Sequence, residues 1–316
     1  MSSSEVNPLV STIIPVLNRK ELLAESVNSV LGQTYRPIEI IIVDDGSEAE
    51  YAQYYIELAR AHAEITVIHQ QNQGPGLARE AGRQAARGEF IQYLDSDDLL
   101  APNKFNAQVC LLLQSTDAHA SYGHSYEVKR STCTIDLNNL ANSLNRVPMR
   151  LTGDRIEKMF PAMLRERWWS TSTPLYRRSI LDEVGPWTNL INEEDWEYDA
   201  RVASLGGALC YVPEVVSVRV LHDAHLSDGG TTNPLKLRDR CAARLAVYAS
   251  ARRYERDGHH PSIGDKDWRV FSQYAFLLAR QCAAVGLVDE YRALVKVSID
   301  AVGGKTAKHR LFMISV

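Results

Sequence analysis

The chain has 316 residues, 45% hydrophobic and 23% charged, a balance that fits one large α/β domain, alone or with a smaller appendage. A net charge of −4 with no long basic run argues against nucleic acid as a partner, while a small phosphorylated ligand needs only a local positive site. Five scattered cysteines (Cys110, Cys133, Cys210, Cys241, Cys282), with no CxxC pair, argue against a disulfide framework or a cysteine zinc site and for a reducing compartment. The apolar run 10–17 is short and interrupted by Pro15, and no stretch approaches the ~20 apolar residues of a membrane span. The expected location is cytoplasmic, with contact at the inner membrane face left open.

Residues 10–14 form a β-branched run that reads as a buried strand ending at Pro15. Asn18 is placed to cap a helix whose apolar face is Leu23, Val27, Val30 and Leu31. Residues 38–43 are a second strand, interrupted only by Glu39 and followed by the turn Asp44-Asp45-Gly46-Ser47. A helix over 51–62, a strand over 65–69, a loop at 72–76 and a helix over 77–87 follow, with Gly88 as its stop. A fourth strand, 90–94, runs directly into Asp95-Ser96-Asp97-Asp98, and Pro102 opens another helix. Four strand–helix alternations in about 115 residues imply a doubly wound, mostly parallel sheet, which binds ligands beyond the carboxyl ends of its strands.

The middle of the chain is less regular. Residues 118–128 read as a strand, 131–150 as a loop, and 208–212 and 215–221 as strands leading to His222-Asp223. Between them lie aromatic-rich pieces at 168–176 and 185–187, then an acidic segment, Glu193 to Glu197, that opens a helix. From about 236 the pattern is helical, with a pair at 268–285 and 288–302. Phe271, Tyr274, Leu277 and Leu278 make an apolar stripe in the first of these. Lys305, Lys308, His309 and Arg310 precede an apolar end, either a plain C-terminal helix or a contact for an anionic membrane.

Asp95 and Asp97 flank a small residue at a strand end, so their side chains point the same way. Two carboxylates there suit Mg²⁺ or Mn²⁺, which take oxygen ligands and share them with substrate phosphates; the alternative is an acidic helix-capping turn. Gly74-Pro75-Gly76 before a helix offers backbone N–H groups to a phosphate, with Arg79 one turn on, or is a plain strand-to-helix loop. Among Glu193, Glu194 and Asp195, a carboxylate can act as general base toward a sugar hydroxyl or simply favour a helix N-terminus. His222 reads as a metal or phosphate ligand or as a structural histidine. Trp168, Trp169 and Trp187 read as core or as a sugar-stacking face.

Together these pieces resemble family 2 glycosyltransferases of the GT-A fold. The resemblance runs from about residue 10 to 222 and rests on VSTIIPVLNR (10–19), SVLGQTY (29–35), EIIIVDDGS (39–47), NQGPGLAREAG (72–82), GEFIQYLDSDDLLAPN (88–103) and NEEDWEYDARVASLG (192–206), in family order. It implies that the backbone around Thr12 to Pro15 and the carboxylate of Asp45 hold the base, that Arg79 contacts the nucleotide, and that Asp95 contacts the ribose or a metal-bound water. It further implies Asp97 as ligand of Mg²⁺ or Mn²⁺, His222 as a second metal or diphosphate ligand, and the Glu194-Asp195 pair as catalytic, Asp195 being the base. Inverting transfer from a nucleotide-sugar donor, UDP first, to a carbohydrate or lipid-linked acceptor is the implied reaction. Two departures stand out: Glu80 follows Arg79 where the family often has asparagine, and Glu193 precedes the acidic pair.

The expected organisation is a GT-A domain over 1–235 and a helical region over 236–316 serving packing, acceptor support or homo-oligomerisation. Two other readings stay open. A nucleotidyltransferase would want a Gly-rich basic loop where this chain has PVLNRKE. A non-catalytic nucleotide-sugar-binding protein would not need Asp95, Asp97 and Asp195 together.

Overall fold

The computed structural model describes residues 7–129, 147–148, 155–221 and 232–303. His222, Cys133, most of the loop expected at 131–150 and the basic–apolar end at 305–316 lie outside these residues. The chain divides into two compact units. The first takes the described residues of Met1–Glu157, Trp168–Asn189 and Gly207–His225; the second takes those of Lys158–Arg167, Leu190–Gly206 and Leu226–Val316. Segments 158–167 and 190–206, expected within the domain ending at 235, thus group with the C-terminal helices.

The first unit is a sheet with helices. Strands β1 (Val10–Val16) and β2 (Ile38–Asp44) are buried along their whole length, as central parallel strands should be. β3 (Ile65–His69) pairs with β2, and β4 (Phe90–Tyr93) pairs with β1, all parallel. Beyond them come β5 (Leu99–Leu100), β6 (Ala118–Lys129), β7 (Val147–Pro148), β8 (Leu175–Arg177) and β9 (Ala208–Leu221), giving the order β3-β2-β1-β4-β8-β6-β9-β5, with β7 on β6. The parallel half is as expected. The other half is mixed, because β8 runs antiparallel to both β4 and β6. The two strands expected at 208–212 and 215–221 are one strand, whose register against β6 jumps from Gly123↔Val212 to His124↔Val215, leaving Pro213 and Glu214 as the bulge.

Helices α1 (Glu21–Leu31), α2 (Ala49–Ala61), α3 (Pro75–Ala85) and α4 (Lys104–Gln114) alternate with the strands. Leu23, Val27 and Val30 of α1 are fully buried in one cluster with Val10, Ile14, Ile40, Ile42 and Phe90, each side chain adding about 1.5–3 kcal/mol by leaving water. Asn18 does not cap α1. It adopts positive φ, its N–H donates to Ser47 Oγ, and its Oδ1 accepts from Glu48 N–H at 2.8 Å, tying the loop after β1 to the loop after β2. Helix α3 begins two residues before its expected start and stops at Ala85, ahead of Gly88. Gly88 instead lies against Ser11 and Leu9, where a Cβ would meet backbone atoms at 2.7 Å. Pro102 lies in the turn before α4 rather than opening it.

Glu39, the charge that interrupts the apolar run of β2, is 7% exposed and fully engaged. Ser11 Oγ donates to it at 2.6 Å, and Arg87 donates its backbone N–H, Nε and Nη2. Burial alone would raise this carboxyl; the Ser11 and Arg87 hydrogen bonds outweigh it and hold the group below the ordinary range.

The second unit is helical: α5 (Ala162–Arg165), α7 (Glu194–Ser204), α8 (Pro234–Arg256), α9 (Asp265–Ala284) and α10 (Val288–Ala301), α6 (Arg178–Val184) belonging to the first. Trp268, Phe271, Ala275, Leu278, Ala279 and Cys282 form the buried face of α9. The expected stripe is therefore half right, since Tyr274 and Leu277 are each 49% exposed. Ser272 and Ser298 exchange hydroxyl-to-carbonyl hydrogen bonds at 2.7 and 2.8 Å between α9 and α10. No helix among the described residues is long and apolar enough to cross a membrane.

Candidate functional site

The order in which strands are added reverses at β1: the chain steps to β2 and β3 on one side, then returns to β4 on the other. A doubly wound sheet opens a crevice at such a switch point. Pairing of β1 with β4 ends at Ile13↔Tyr93, while pairing with β2 continues to Val16↔Asp44. The strands therefore part beyond Ile13, and Pro15, expected to end β1, continues it beside β2. Thr12, paired to both Ile40 and Gln92, is fully buried, and its Oγ1 has no hydrogen-bond partner among the described residues.

The two acidic turns lie at the carboxyl ends of β2 and β4; the loop leading into α3 touches the first and α3 the second. Asp45 Oδ1 accepts from Gln73 N–H at 2.9 Å and from Gln70 Nε2 at 2.7 Å; its Oδ2 accepts from Gly74 N–H at 2.9 Å. The N–H groups of Gln73 and Gly74 leading into α3 thus go to a carboxylate of the chain itself. Asp44 accepts from Ser47 N–H and pairs with His69 Nδ1 at 2.9 Å. One turn into α3, Arg79 is 3% exposed, its guanidinium 5.0 Å from the Trp187 ring centroid, and its Nη2 meets Asp95 Oδ1 at 2.7 Å. Glu80, the departure beside it, accepts from Arg83, Gln84 and Trp187 N–H. It faces the helix and the Trp187 loop, which explains why an acid is accommodated there.

Asp95 and Asp97 carry side chains 33% and 14% exposed. Asp97 Oδ2 meets Arg19 Nη1 at 2.5 Å, across from the loop that follows β1. Both carboxylates are oxygen donors of the kind a hard divalent cation takes, and each is balanced by an arginine. No group of three or more His, Cys, Asp or Glu able to hold a metal occurs among the described residues. Two carboxylates are a donor set that a hard divalent cation can share with phosphate and water, which would then supply most of its coordination. Asp98 points the other way. It is buried, accepting from Ser172 Oγ at 2.8 Å and Val220 N–H at 3.3 Å, while its carbonyl accepts from Ser26 Oγ. Burial, then the charges of Asp95 and Asp97, raise its carboxyl well above the ordinary range, against the pull of Ser172 and Arg219.

Residues 170–173, Ser-Thr-Ser-Thr, are all buried and brace this loop from behind. Gln92 Nε2 donates to Ser172 carbonyl at 3.1 Å, and Lys104 Nζ donates to Thr173 carbonyl at 2.6 Å. Lys104 is 1% exposed, and burial pulls its ammonium well below the usual lysine range. Trp168, Trp169 and Trp187 are at most 9% exposed and lie in the core, the commoner place for large aromatics.

Glu194 and Asp195 belong to the second unit, in the first turn of α7. Glu194 is buried, while Asp195 is 18% exposed at its side chain, with Oδ2 2.6 Å from Arg167 Nη1. Arg19 and Ser172 were not singled out in the sequence, and Trp187 was read only as core or as a sugar-stacking face, not as a partner of Arg79 and Glu80. Arg19 carried the clearest signal, a cation at the carboxyl end of a buried strand; the hydrogen bonds of Trp187 and Ser172 span 74 to 107 residues and have no local signature.

The family model described as Glycosyl transferase family 2 matches residues 11–184. A putative glycosyltransferase EpsH of Bacillus subtilis is 33% identical over 176 residues, 55% of this chain and 48% of that protein. An uncharacterized glycosyltransferase, alr2836, of Nostoc is 34% identical over 178 residues, 56% of this chain and 53% of its own length. The chain thus spans about half the length of these two relatives. Among solved structures, S. aureus TarS 1–349 in complex with UDP-GlcNAc aligns with TM-score 0.66 at 16% identity, over 93% of this chain and 81% of that one. The mannosyltransferase PcManGT from Pyrobaculum calidifontis, in complex with GDP-Man and Mn²⁺, aligns with TM-score 0.55 at 18% identity, over 98% of this chain and 84% of its own. At these identities the structural likeness speaks for the fold, a mixed α/β sheet of GT-A type with a helical C-terminal region. With the family model matching more than half of its length, the chain belongs to glycosyltransferase family 2.

Proposed function

We propose that this protein is an inverting, metal-dependent glycosyltransferase that moves a sugar from a nucleoside-diphosphate donor, UDP-sugar foremost, to a hydroxyl of a glycan or lipid-linked acceptor. One observation carries the reading: α3 and the loop leading into it are fastened to both acidic turns, through Gly74 to Asp45 and through Arg79 to Asp95, at the carboxyl ends of β2 and β4. Family membership and the nucleotide sugars bound by the two structural neighbours support it.

In this reading the backbone of Thr12 to Pro15 and the carboxylate of Asp45 hold the base. Arg79 holds the nucleotide and Asp95 its ribose side. Asp97, with His222, holds Mg²⁺ or Mn²⁺; when bound, the cation supplies the positive charge that a departing diphosphate needs. Asp195 takes the proton of the attacking hydroxyl on a carboxylate oxygen, beside Glu194, while Arg167 fixes its orientation.

The test is a thermal-shift screen of nucleoside diphosphates and nucleotide sugars with and without Mn²⁺, followed by transfer assays. Stabilisation by at least one nucleotide is expected; none in either condition overturns the donor site. Asp195→Asn should keep nucleotide binding and lose at least about 10²-fold in turnover. Normal turnover in that variant removes Asp195 from the role of base.

A further inference from the structure

The second unit holds a charged cluster that the reading above leaves unused. Glu193 immediately precedes α7 and has left-handed backbone, φ 58° and ψ 19°. For a residue with a Cβ that conformation is strained and persists only where neighbours impose it. The neighbours here come from α8. Arg240 Nε meets Glu193 Oε1 at 2.9 Å, and Arg244 Nη2 meets Oε2 at 3.5 Å. Asp239, the residue before Arg240, accepts from Ile191 N–H at 3.1 Å. Three side chains on little more than one turn of α8 therefore hold the approach to α7.

The same arginine reaches the first turn of α7 itself. Arg244 is 5% exposed, and its guanidinium stacks 4.1 Å from the Trp196 ring centroid. Trp196 is fixed at its other edge, its Nε1 donating to Met163 carbonyl at 2.7 Å. Glu194 and Asp195 lie between Glu193 and Trp196, so both ends of that dipeptide are bound to α8.

We propose that Glu193, Arg240 and Arg244 form a clamp that sets the position of the Glu194-Asp195 turn, with Glu193 and Arg244 as positioning residues for transfer. The proposal rests on the reading of Asp195 as general base. It separates the neighbouring carboxylates by what they touch: Glu193 is committed to α8, and Asp195 pairs with Arg167. It also gives α8 a task beyond packing. With the clamp released, residue 193 relaxes toward negative φ, the start of α7 turns, and Asp195 moves with it.

The experiment measures steady-state transfer by the full chain, using whichever nucleotide sugar the screen identifies, for Glu193→Ala, Glu193→Gly, Arg244→Met and Asp195→Asn. Glu193→Ala and Arg244→Met should lose about 10- to 100-fold in kcat, the cost of a misplaced catalytic group, with donor KM and nucleotide-induced thermal stabilisation retained. Glu193→Gly should turn over at least about threefold faster than Glu193→Ala, because glycine takes the left-handed backbone without the clamp. Should Arg244→Met not fold, Glu193→Ala against Glu193→Gly decides alone. The clamp is overturned if both variants keep wild-type kcat, if donor binding falls in parallel with kcat, or if glycine gives no recovery over alanine. Wild-type turnover in Asp195→Asn defeats the base assignment instead. Loss there, with wild-type turnover in the other variants, defeats the clamp alone.

Discussion

Removing Arg19 should tighten the binding of a divalent cation to the protein. Arg19 Nη1 lies 2.5 Å from Asp97 Oδ2, and the two side chains are only 20% and 14% exposed. A cation that takes this carboxylate must first displace the guanidinium and then tolerate its charge. A fully exposed pair would contribute about 0.2–1 kcal/mol, a buried charge-assisted one about 1.5–3. The partial burial places this pair between them, at about 1–2 kcal/mol, a factor of about 5–30 in affinity. Arg19→Met should therefore bind Mn²⁺ about 5–30 times more tightly in the absence of nucleotide, as read by the free-Mn²⁺ EPR signal at low salt. Arg19→Lys, which keeps the charge, should stay close to wild type. The metal-free Arg19→Met protein should melt earlier, since the Arg19–Asp97 ion pair is lost, and Mn²⁺ should restore the difference. Unchanged or weaker Mn²⁺ binding in Arg19→Met would refute the competition and, with it, Asp97 as the ligand.

Two further outcomes concern the scaffold beneath the site. A Cβ at Gly82 would lie 2.3 Å from Ile13 Cγ2 and 3.2 Å from Val43 Cγ2, both in the buried centre of the sheet. Gly82→Ala should cost about 1–3 kcal/mol in urea unfolding despite alanine's better helix propensity; a gain in stability would mean that α3 lies farther from β1. Glu39 has its carboxyl held below the unfolded range, so it stabilises the fold above the ordinary glutamate pKa, and that contribution is lost as pH falls through the lowered value. Glu39→Gln should cost about 1–3 kcal/mol at pH 7 and flatten the acid limb of stability against pH; an unaltered acid limb rules out this carboxyl as its source.

Periodicity was enough to read the parallel half of the sheet. Residues 10–14 and 38–43 are mostly β-branched and show no regular polar alternation, because strands covered on both faces need no polar side, and that signal is local. The acidic turns at strand ends were legible for the same reason, since a strand's end and its following residues are adjacent in the chain. The mixed half was not legible. β8 has only three residues, and its place between β4 and β6 depends on pairings with strands some 55 to 85 residues away. Asn18 looked like a cap because helix capping is the commonest local use of asparagine; its actual partners, Ser47 and Glu48, are 29 and 30 residues on.

The residues offered for chemistry, Asp45, Arg79, Asp95, Asp97 and Asp195, were named by type, spacing and motif order. What each touches was decided by tertiary structure. Folding spends the Asp45 carboxylate on Gln70, Gln73 and Gly74, sets Arg79 on Asp95 and Arg19 on Asp97, and turns Asp98 inward to Ser172. It also hands Glu193 to two arginines of α8, about 50 residues downstream. A carboxylate's chemistry depends on its burial and its nearest cation, and both are properties of contacts between distant segments. Motif order placed these acids at the strand ends; contacts between distant segments settled which cation or backbone group each of them meets, because those partners lie far away in the chain.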